Sequence, residues 1–192
     1  MSKVVFDISI SLDGFMTAAN QTADEPMGPG GLRLVDWAFA GDEQDSKIIP
    51  EGVAETGAVI AGRRTYDTSV PWWGADGPTG EARLPVFVVS HDQPKDAPEN
   101  GVYRFVEGIE PALTAAKEAA GDKGVTVMGG ADIGQQYLRA NLIDELSLHV
   151  VPVLFGSGTR MFDAATDVHR PLELLSVVQG AKALHLRARV VP

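Results

Sequence analysis

The stretch Val125-Thr-Val-Met-Gly-Gly-Ala-Asp-Ile-Gly-Gln-Gln136 is the most informative part of the sequence. Its β-branched run, Val125–Val127, predicts a buried strand, which Gly129-Gly130 ends. Asp132 stands where a helix N-cap is expected, and Gln135 follows three residues later, as in a capping box. We therefore predict a strand, a glycine turn and a helix, in which backbone amides can hold a dinucleotide pyrophosphate. The same pattern also fits a strand–helix turn that binds no ligand and in which glycine only supplies the required dihedral angles.

Bulk properties describe an ordinary globular domain and argue against several kinds of chemistry. The 192 residues are 44% hydrophobic and 22% charged, which suits a single domain over 1–192. The net charge of −10 argues against nucleic acid or an anionic membrane as a partner. The sequence has no cysteine, which removes disulfides, thiolate catalysis and cysteine–zinc sites, and we predict no metal. The amino-terminal residues lack a signal-peptide layout and no apolar run is long enough to span a membrane, so we expect a cytoplasmic protein.

A second junction of strand, glycine and helix lies earlier in the chain. Residues Gly57–Ala61 predict a buried strand that runs into Gly62, Arg63, Arg64 and Thr65. The planar guanidinium of arginine suits phosphate oxygens, and a threonine hydroxyl can donate to one from the first helical turn. A solvated arginine pair on a surface helix is the competing interpretation.

Strands and helices alternate along the rest of the chain. The patterns predict strands at 4–12, 86–89, 102–106 and 143–151, and helices at 42–55 and 110–120. This alternation indicates an α/β fold in three layers, with a mainly parallel sheet between helices on both faces. Residues 172–178 and 183–191 predict a closing antiparallel hairpin, which makes the sheet mixed.

Two loops interrupt this pattern. Residues 18–34 are rich in Gly and Pro, and a loop of that length either covers a substrate or is a surface insertion. Residues 71–85 form the second loop, and its tryptophans, Trp72 and Trp73, favour packing or an oligomer contact.

The polar motifs follow strands, and this gives them a common location. Ligands of a parallel sheet bind beyond the carboxyl ends of its strands. We therefore predict that Asp13, Gly62–Thr65, Ser90-His91 and Met128–Ile133 meet at one edge of the sheet.

These motifs also occur in the order and spacing of one known family. They are Ser11–Gly14, Val59–Tyr66, Val86–Ser90, Val127–Ile133 and Ile143–Gly158. The chain resembles the dihydrofolate reductase-like family over nearly its whole length. It is most similar to the branch with the carboxyl-terminal reductase domain of bifunctional riboflavin-biosynthesis deaminase-reductases. The resemblance implies NADPH across the strand ends, hydride transfer to a small pterin-like or pyrimidinone-like heterocycle, and a homodimer through the carboxyl-terminal strands.

The resemblance also implies which residues contact the cofactor. The pyrophosphate and the 2′-phosphate would be held by Gly62, Arg63, Arg64 and Thr65, with Ser90 and His91 at the adenosine end. The turn that follows the strand would wrap the pyrophosphate and the nicotinamide ribose through Met128, Gly129, Gly130, Ala131, Asp132 and Ile133. Met16 and Thr17 would lie near the nicotinamide.

The chain departs from the family at the substrate and 2′-phosphate positions. Asp132 stands where classical dihydrofolate reductases commonly carry a basic residue, so more of the 2′-phosphate would fall to Arg63 and Arg64. The acids Asp36, Asp42 and Asp45 do not align with the classical substrate-binding carboxylate.

The proton donor is left open by the sequence. Asp13, Asp7, His149 and water are its candidates. Asp13 also fits the turn residue of an Asp-Gly pair, and we interpret His149 as a satisfied histidine on a strand. Two other functions stay open: a nucleotide-binding protein without efficient catalysis, and a reductase that uses a flavin or deazaflavin.

Overall fold

The computed structural model describes residues 2–162 and 169–191. Its strands, β1 to β10, are Val4–Ser11, Phe15–Ala18, Thr56–Gly62, Val86–Val89, Tyr103–Val106, Gly124–Met128, Glu145–Val151, Gly158–Arg160, Leu172–Gln179 and Leu184–Val190. Its helices, α1 to α5, are Asp36–Ala40, Glu43–Glu55, Arg63–Trp73, Ile109–Ala120 and Ala131–Arg139. Short 3-10 turns lie at Gly31–Val35 and Gly80–Ala82.

The main sheet confirms the predicted fold class. Among the described residues its strand order is β5-β4-β3-β6-β1-β7-β10-β9. The six strands from β5 to β7 in this order pair in parallel, and β10 and β9 close the sheet in antiparallel register. The predicted carboxyl-terminal hairpin is therefore present, and β9 is the outer strand at that end of the sheet.

Helices cover both faces of this sheet because its strands carry apolar side chains on both sides. On one face, α4 and α5 bury a core that includes Phe6, Ile60 and Tyr137. On the other face, α3 packs on β3 and β4, and a separate cluster joins Leu34 and Trp37 to the end of β7. No described helix has the length and apolar character needed to cross a membrane.

Local structure differs from the prediction at two places. The antiparallel pair of strands β2 and β8 was not predicted. Helix α3 continues through Pro71 to Trp73, where the sequence favoured a loop. Proline lacks an amide hydrogen, so Pro71 removes one helical hydrogen bond near the end of α3, and the helix ends two residues later.

The acidic residues near the starts of α2 and α5 have different roles. Asp42 caps α2, and Asp45 completes a reciprocal capping box with it. The assignment of Asp132 as the N-cap of α5 was wrong, because Gly130 is the N-cap and, lacking a side chain, it makes no side-chain cap hydrogen bond. Asp132 lies inside the first turn and accepts a hydrogen bond from the side chain of Gln136.

Candidate functional site

The carboxyl ends of the parallel strands form one edge, to which the predicted motifs belong. Strands β4, β3, β6 and β1 are neighbours in the sheet, and they end at Val89, Gly62, Met128 and Ser11. These strands end on the same side of the sheet because the crossover connections return each strand in the same direction. We call this surface the strand-end edge.

The glycine turn after β6 touches the first turn of α3. Gly129 has a φ of +101°, and a Cβ atom there would lie 2.4 Å from Thr65 Oγ1. The next amide, that of Gly130, donates to Thr65 Oγ1 at 2.9 Å. Glycine is therefore required at 129 for two reasons, the backbone conformation and the close approach of α3.

Two helices begin side by side at this contact. Helix α3 starts at Arg63 after Gly62, helix α5 starts at Ala131 after Gly130, and neither N-cap makes a side-chain cap hydrogen bond. The first amides of a helix have no partner within the helix, and together with the macrodipole they attract anions. Ile133, one turn inside α5, is buried and lies 3.4 Å from where a Cβ of Gly62 would be, so it holds the two junctions together.

Arg63 is tied to acidic neighbours. Its guanidinium donates to Asp67 Oδ1 at 2.8 Å, to Asp92 Oδ1 at 2.9 Å and to Ser90 Oγ at 3.1 Å. The hydrogen bond to Asp67 and the nearby carboxylates raise the pKa of Arg63. An incoming phosphate must therefore share this cation with two carboxylates.

Arg64 points to the loop of residues 18–34. Its guanidinium donates to the side-chain oxygen of Gln21, a neutral acceptor. The loop is also fixed at its base, where the amide of Ala18 donates to the carbonyl of Met27. The loop of residues 18–34 therefore reaches the strand-end edge beside Arg64. Its contact with Arg64 is through the neutral Gln21, which leaves the charge of the guanidinium unbalanced there.

The remaining predicted cofactor residues lie in different surroundings. His91 is exposed and bonds Glu107 at 2.8 Å, at the end of β4. Met16 is buried in the core shared with α5, whereas Thr17 is half-buried and accepts a hydrogen bond from the amide of Thr159. Met16 is therefore a core residue beneath the strand-end edge, and its side chain is not on the surface.

Asp13 joins two connections. It accepts hydrogen bonds from Ser11 Oγ at 2.6 Å and from the amides of Phe155 and Gly156. The hydrogen bond from Ser11 and those amides lower the pKa of Asp13. This carboxylate clamps the turn after β1 to the connection after β7, which is the turn role that the sequence left open.

Asp7 lies away from the strand-end edge, on the face of the sheet that α2 covers. It lines a groove of about 430 Å³ together with Lys3, Thr126, Ser147 and Arg187. Burial works to raise the pKa of Asp7, but the hydrogen bond and the charge of His149 outweigh it, so the pKa is lowered. Asp7 and Asp13 are therefore not parts of one catalytic group.

His149 is a satisfied histidine on a strand, as the sequence favoured, but its partners were not predicted. It bonds Asp7 and the ring of His185, and His185 bonds Asp45. Asp36 and Asp42, the other acids considered for substrate binding, have no place in this group. Only the alternation of polar residues on β7 and β10 pointed to this face.

The chain matches known proteins over most of its length. The family described as the RibD C-terminal domain matches residues 2–186. Uncharacterized protein YwjB of Bacillus subtilis (strain 168) is 24% identical over 184 residues, which cover 96% of this chain and 95% of YwjB.

Solved structures share the fold. A protein of Shewanella sp. PV-4, whose name assigns it to riboflavin biosynthesis, has a TM-score of 0.70 at 20% identity over 100% of both chains. Form 1 of Acinetobacter baumannii RibD has a TM-score of 0.68 at 19% identity, over 100% of this chain but 59% of that one. A pyrimidine reductase-like protein of Corynebacterium diphtheriae has a TM-score of 0.66 at 13% identity, over 100% of this chain and 92% of that one. At these identities the structures establish a common fold, which is of the dihydrofolate reductase type.

Proposed function

Because the chain belongs to the RibD C-terminal domain family, we propose that it is an NADPH-dependent reductase of a small pyrimidinone-like or pterin-like heterocycle. The single observation that carries the cofactor is the contact between the Gly129-Gly130 turn and Thr65. It sets two helix N-termini side by side at the strand-end edge. We call this pair of helix N-termini the cradle, and a Cβ atom at 129 would overlap Thr65 within it.

The residues present fit a dinucleotide. The unbonded amides at the start of α3 and α5 suit a pyrophosphate. Arg64 adds positive charge there, and Arg63 can do so in competition with Asp67 and Asp92. Ser90 and His91 border the same edge beside Arg63 and would face the adenosine end. When bound, NADPH would supply the hydride, and the chain would orient the reactants and exclude water.

The substrate class rests on the relatives. One structural neighbour is named a pyrimidine reductase-like protein, and another is RibD itself. This chain spans 59% of that RibD chain, so the activity of the longer protein is carried over only for the matching domain. A polar heterocycle also suits an edge bordered by hydroxyls, amides and arginines.

Thermal denaturation with added ligands tests the cofactor. A ligand at a hundred times its Kd stabilises the folded state by about 2.7 kcal/mol, which raises Tm by about 5–10 °C for a chain of this size. We expect NADPH to give this shift and NADH, FMN and AMP to give less. The absence of a shift with NADPH would refute the proposal, and a larger shift with FMN would favour a flavin reductase.

Oxidation of NADPH with a panel of pterins, pyrimidinones and quinones tests the reaction. Loss of absorbance with a pyrimidinone or pterin is the expected result. Tight binding of NADPH without oxidation by any of these acceptors would instead favour the nucleotide-binding protein.

We also propose a homodimer through β9. This outer strand has apolar side chains exposed along its length, including Leu172, Leu174 and Val177, with Leu174 at 60% exposure. An outer strand also presents unpaired backbone groups to a second chain. Burying each of these side chains would contribute about 1.5–3 kcal/mol, and a second copy of the strand offers the matching apolar surface.

A further inference from the structure

Three polar side chains stand side by side on the face of the sheet below α1. In the strand register Ser9 of β1 lies opposite His149 of β7, and His149 lies opposite His185 of β10. Parallel strands covered by helices usually carry apolar side chains on both faces. Polar side chains in the middle of such a sheet are therefore an exception. We call Ser9, His149 and His185 the polar floor.

One aromatic ring covers the polar floor. The indole of Trp37, from α1, has its ring centroid 4.3 Å from that of His149 and 4.9 Å from that of His185. Its N–H donates to Ser9 Oγ at 3.0 Å, and Trp37 is 5% exposed. Trp37 therefore fills a ring-shaped space whose lower wall is polar.

This space borders the strand-end edge. Ser11, the last residue of β1, follows Ser9 on the same face of the strand, at a step of about 7 Å. The indole packs in one cluster with Leu34 and with Val151, the last residue of β7. The step along β1 is about the length of a two-ring heterocycle, so such a ring in place of the indole would extend to the edge.

The polar floor offers one group to a ligand. Both imidazoles use their two nitrogens, in hydrogen bonds to each other, to Asp7 and to Asp45. Ser9 Oγ accepts from the indole, but its own hydrogen reaches no acceptor among the described residues. A ring with neighbouring N–H and C=O groups would use both capacities of this hydroxyl, whereas the indole uses one. Pyrimidinones and pterins carry that pair of groups.

The segment that carries Trp37, residues 31–41, is weakly attached. It consists of a 3-10 turn and the five-residue helix α1, and neither has a side-chain cap. Within the described part of the chain, the indole N–H makes the only hydrogen bond from this segment to the sheet. Gly30, with a φ of +72°, precedes the segment, and Gly41 ends α1. Short elements with few hydrogen bonds to their surroundings open most readily, so this segment can move while the sheet stays intact.

We propose that Trp37 is an autoinhibitory side chain, whose indole occupies the site of the heterocyclic substrate and leaves it when that substrate binds. This inference rests on the reductase function proposed above, since it names the place of the ring that receives the hydride. The incoming ring takes the hydrogen bond to Ser9 Oγ from the indole and adds one from the Ser9 hydroxyl to its own carbonyl. The affinity of the protein for a ring is therefore reduced by the small fraction of molecules in which Trp37 is already displaced.

Replacement of Trp37 by phenylalanine tests the proposal while keeping an aromatic ring in the space. Phenylalanine has no N–H, so the closed state loses its bond to Ser9 and a ligand displaces the side chain more easily. In titration calorimetry we expect Trp37→Phe to bind uracil and pterin at least about threefold more tightly than the wild type. Trp72→Phe, at an exposed tryptophan, is the matched control and should bind them like the wild type. Equal or weaker binding in Trp37→Phe, or no binding of either ring, would overturn the proposal.

Acrylamide quenching of fluorescence detects the displacement itself. The chain has three tryptophans, so the double variant Trp72→Phe with Trp73→Phe leaves Trp37 as the reporter. Trp37 should be shielded from acrylamide in the free protein, and saturating uracil should raise its quenching constant at least about threefold. Uracil that binds while Trp37 stays shielded would overturn the proposal. If uracil exposes Trp37 but the protein binds no NADPH, the reductase function fails and the autoinhibitory role stands.

Discussion

Replacing Gly129 by alanine tests the cradle at the strand-end edge. Gly129 has a φ of +101°, where an L-residue is strained by about 1–2 kcal/mol. The new Cβ would also lie 2.4 Å from Thr65 Oγ1, an overlap that costs about 1–3 kcal/mol to relieve. Moving Thr65 weakens its hydrogen bond with the Gly130 amide, which contributes about 0.5–1.5 kcal/mol. We expect a total destabilisation of about 2.5–6.5 kcal/mol, seen as a Tm lower by about 5–25 °C.

Gly121→Ala is the matched control for the backbone strain. Gly121 also has a positive φ, +60°, but a Cβ there would meet nothing within 4 Å. Its variant should lose about 1–2 kcal/mol, and the difference from Gly129→Ala measures the overlap with Thr65. Equal losses in the two variants would contradict the close contact between the turn and α3.

The double variant Gly129→Ala with Thr65→Ala distinguishes the steric overlap, which lowers stability, from the effect of position 129 on NADPH binding. Removing Oγ1 and Cγ2 of Thr65 relieves part of the overlap, so the double variant should lose less stability than the sum of the two single variants. NADPH affinity should nevertheless fall at least about tenfold, or about 1.4 kcal/mol, in every variant with alanine at 129. Additive stability losses would refute the overlap, and unchanged NADPH affinity would refute the cradle.

Three further predictions follow from named contacts. Asp92→Asn should strengthen NADPH binding about threefold or more and leave NADH unchanged, because Asp92 competes with a phosphate for Arg63. Titration calorimetry would measure this, and equal effects on both nucleotides would contradict it. Leu174→Lys should convert a dimer to a monomer in light scattering, whereas Leu32→Lys, also at an exposed leucine, should not. Asp45→Asn should cost about 3–5 kcal/mol in urea unfolding at pH 7, since it removes a buried partner of His185. The pKa of Asp45 is lowered in the folded state, so its contribution is present above about pH 4 and is lost as the pH falls through the folded pKa.

Much of the fold could be predicted because its signals are local. The apolar runs at Val59 and Val125, and the glycines after them, indicate strand and turn within a few residues. The alternation with helices then requires parallel strands, which places both glycine junctions at one edge. The prediction was wrong at Asp132, because the helix begins earlier, at a glycine whose backbone conformation serves as the cap.

The partners of the charged side chains could not be predicted in this way. Arg63 meets Asp92 only because β3 and β4 are neighbours and end at the same level. The sequence left Arg63 open between a phosphate ligand and a solvated surface cation, whereas the structure shows it held by two carboxylates, with Arg64 on the neutral Gln21.

The sequence by itself determined the strand-end edge and the glycine turn from which the cofactor site is inferred, because periodicity and glycine act over a few residues. Only the tertiary structure decided that Gly129 is closed by Thr65, and that Asp7 and Asp45 are linked through His149 and His185. Those contacts depend on strand order and register, since residues more than thirty positions apart come within hydrogen-bond distance only after β1, β7 and β10 pair.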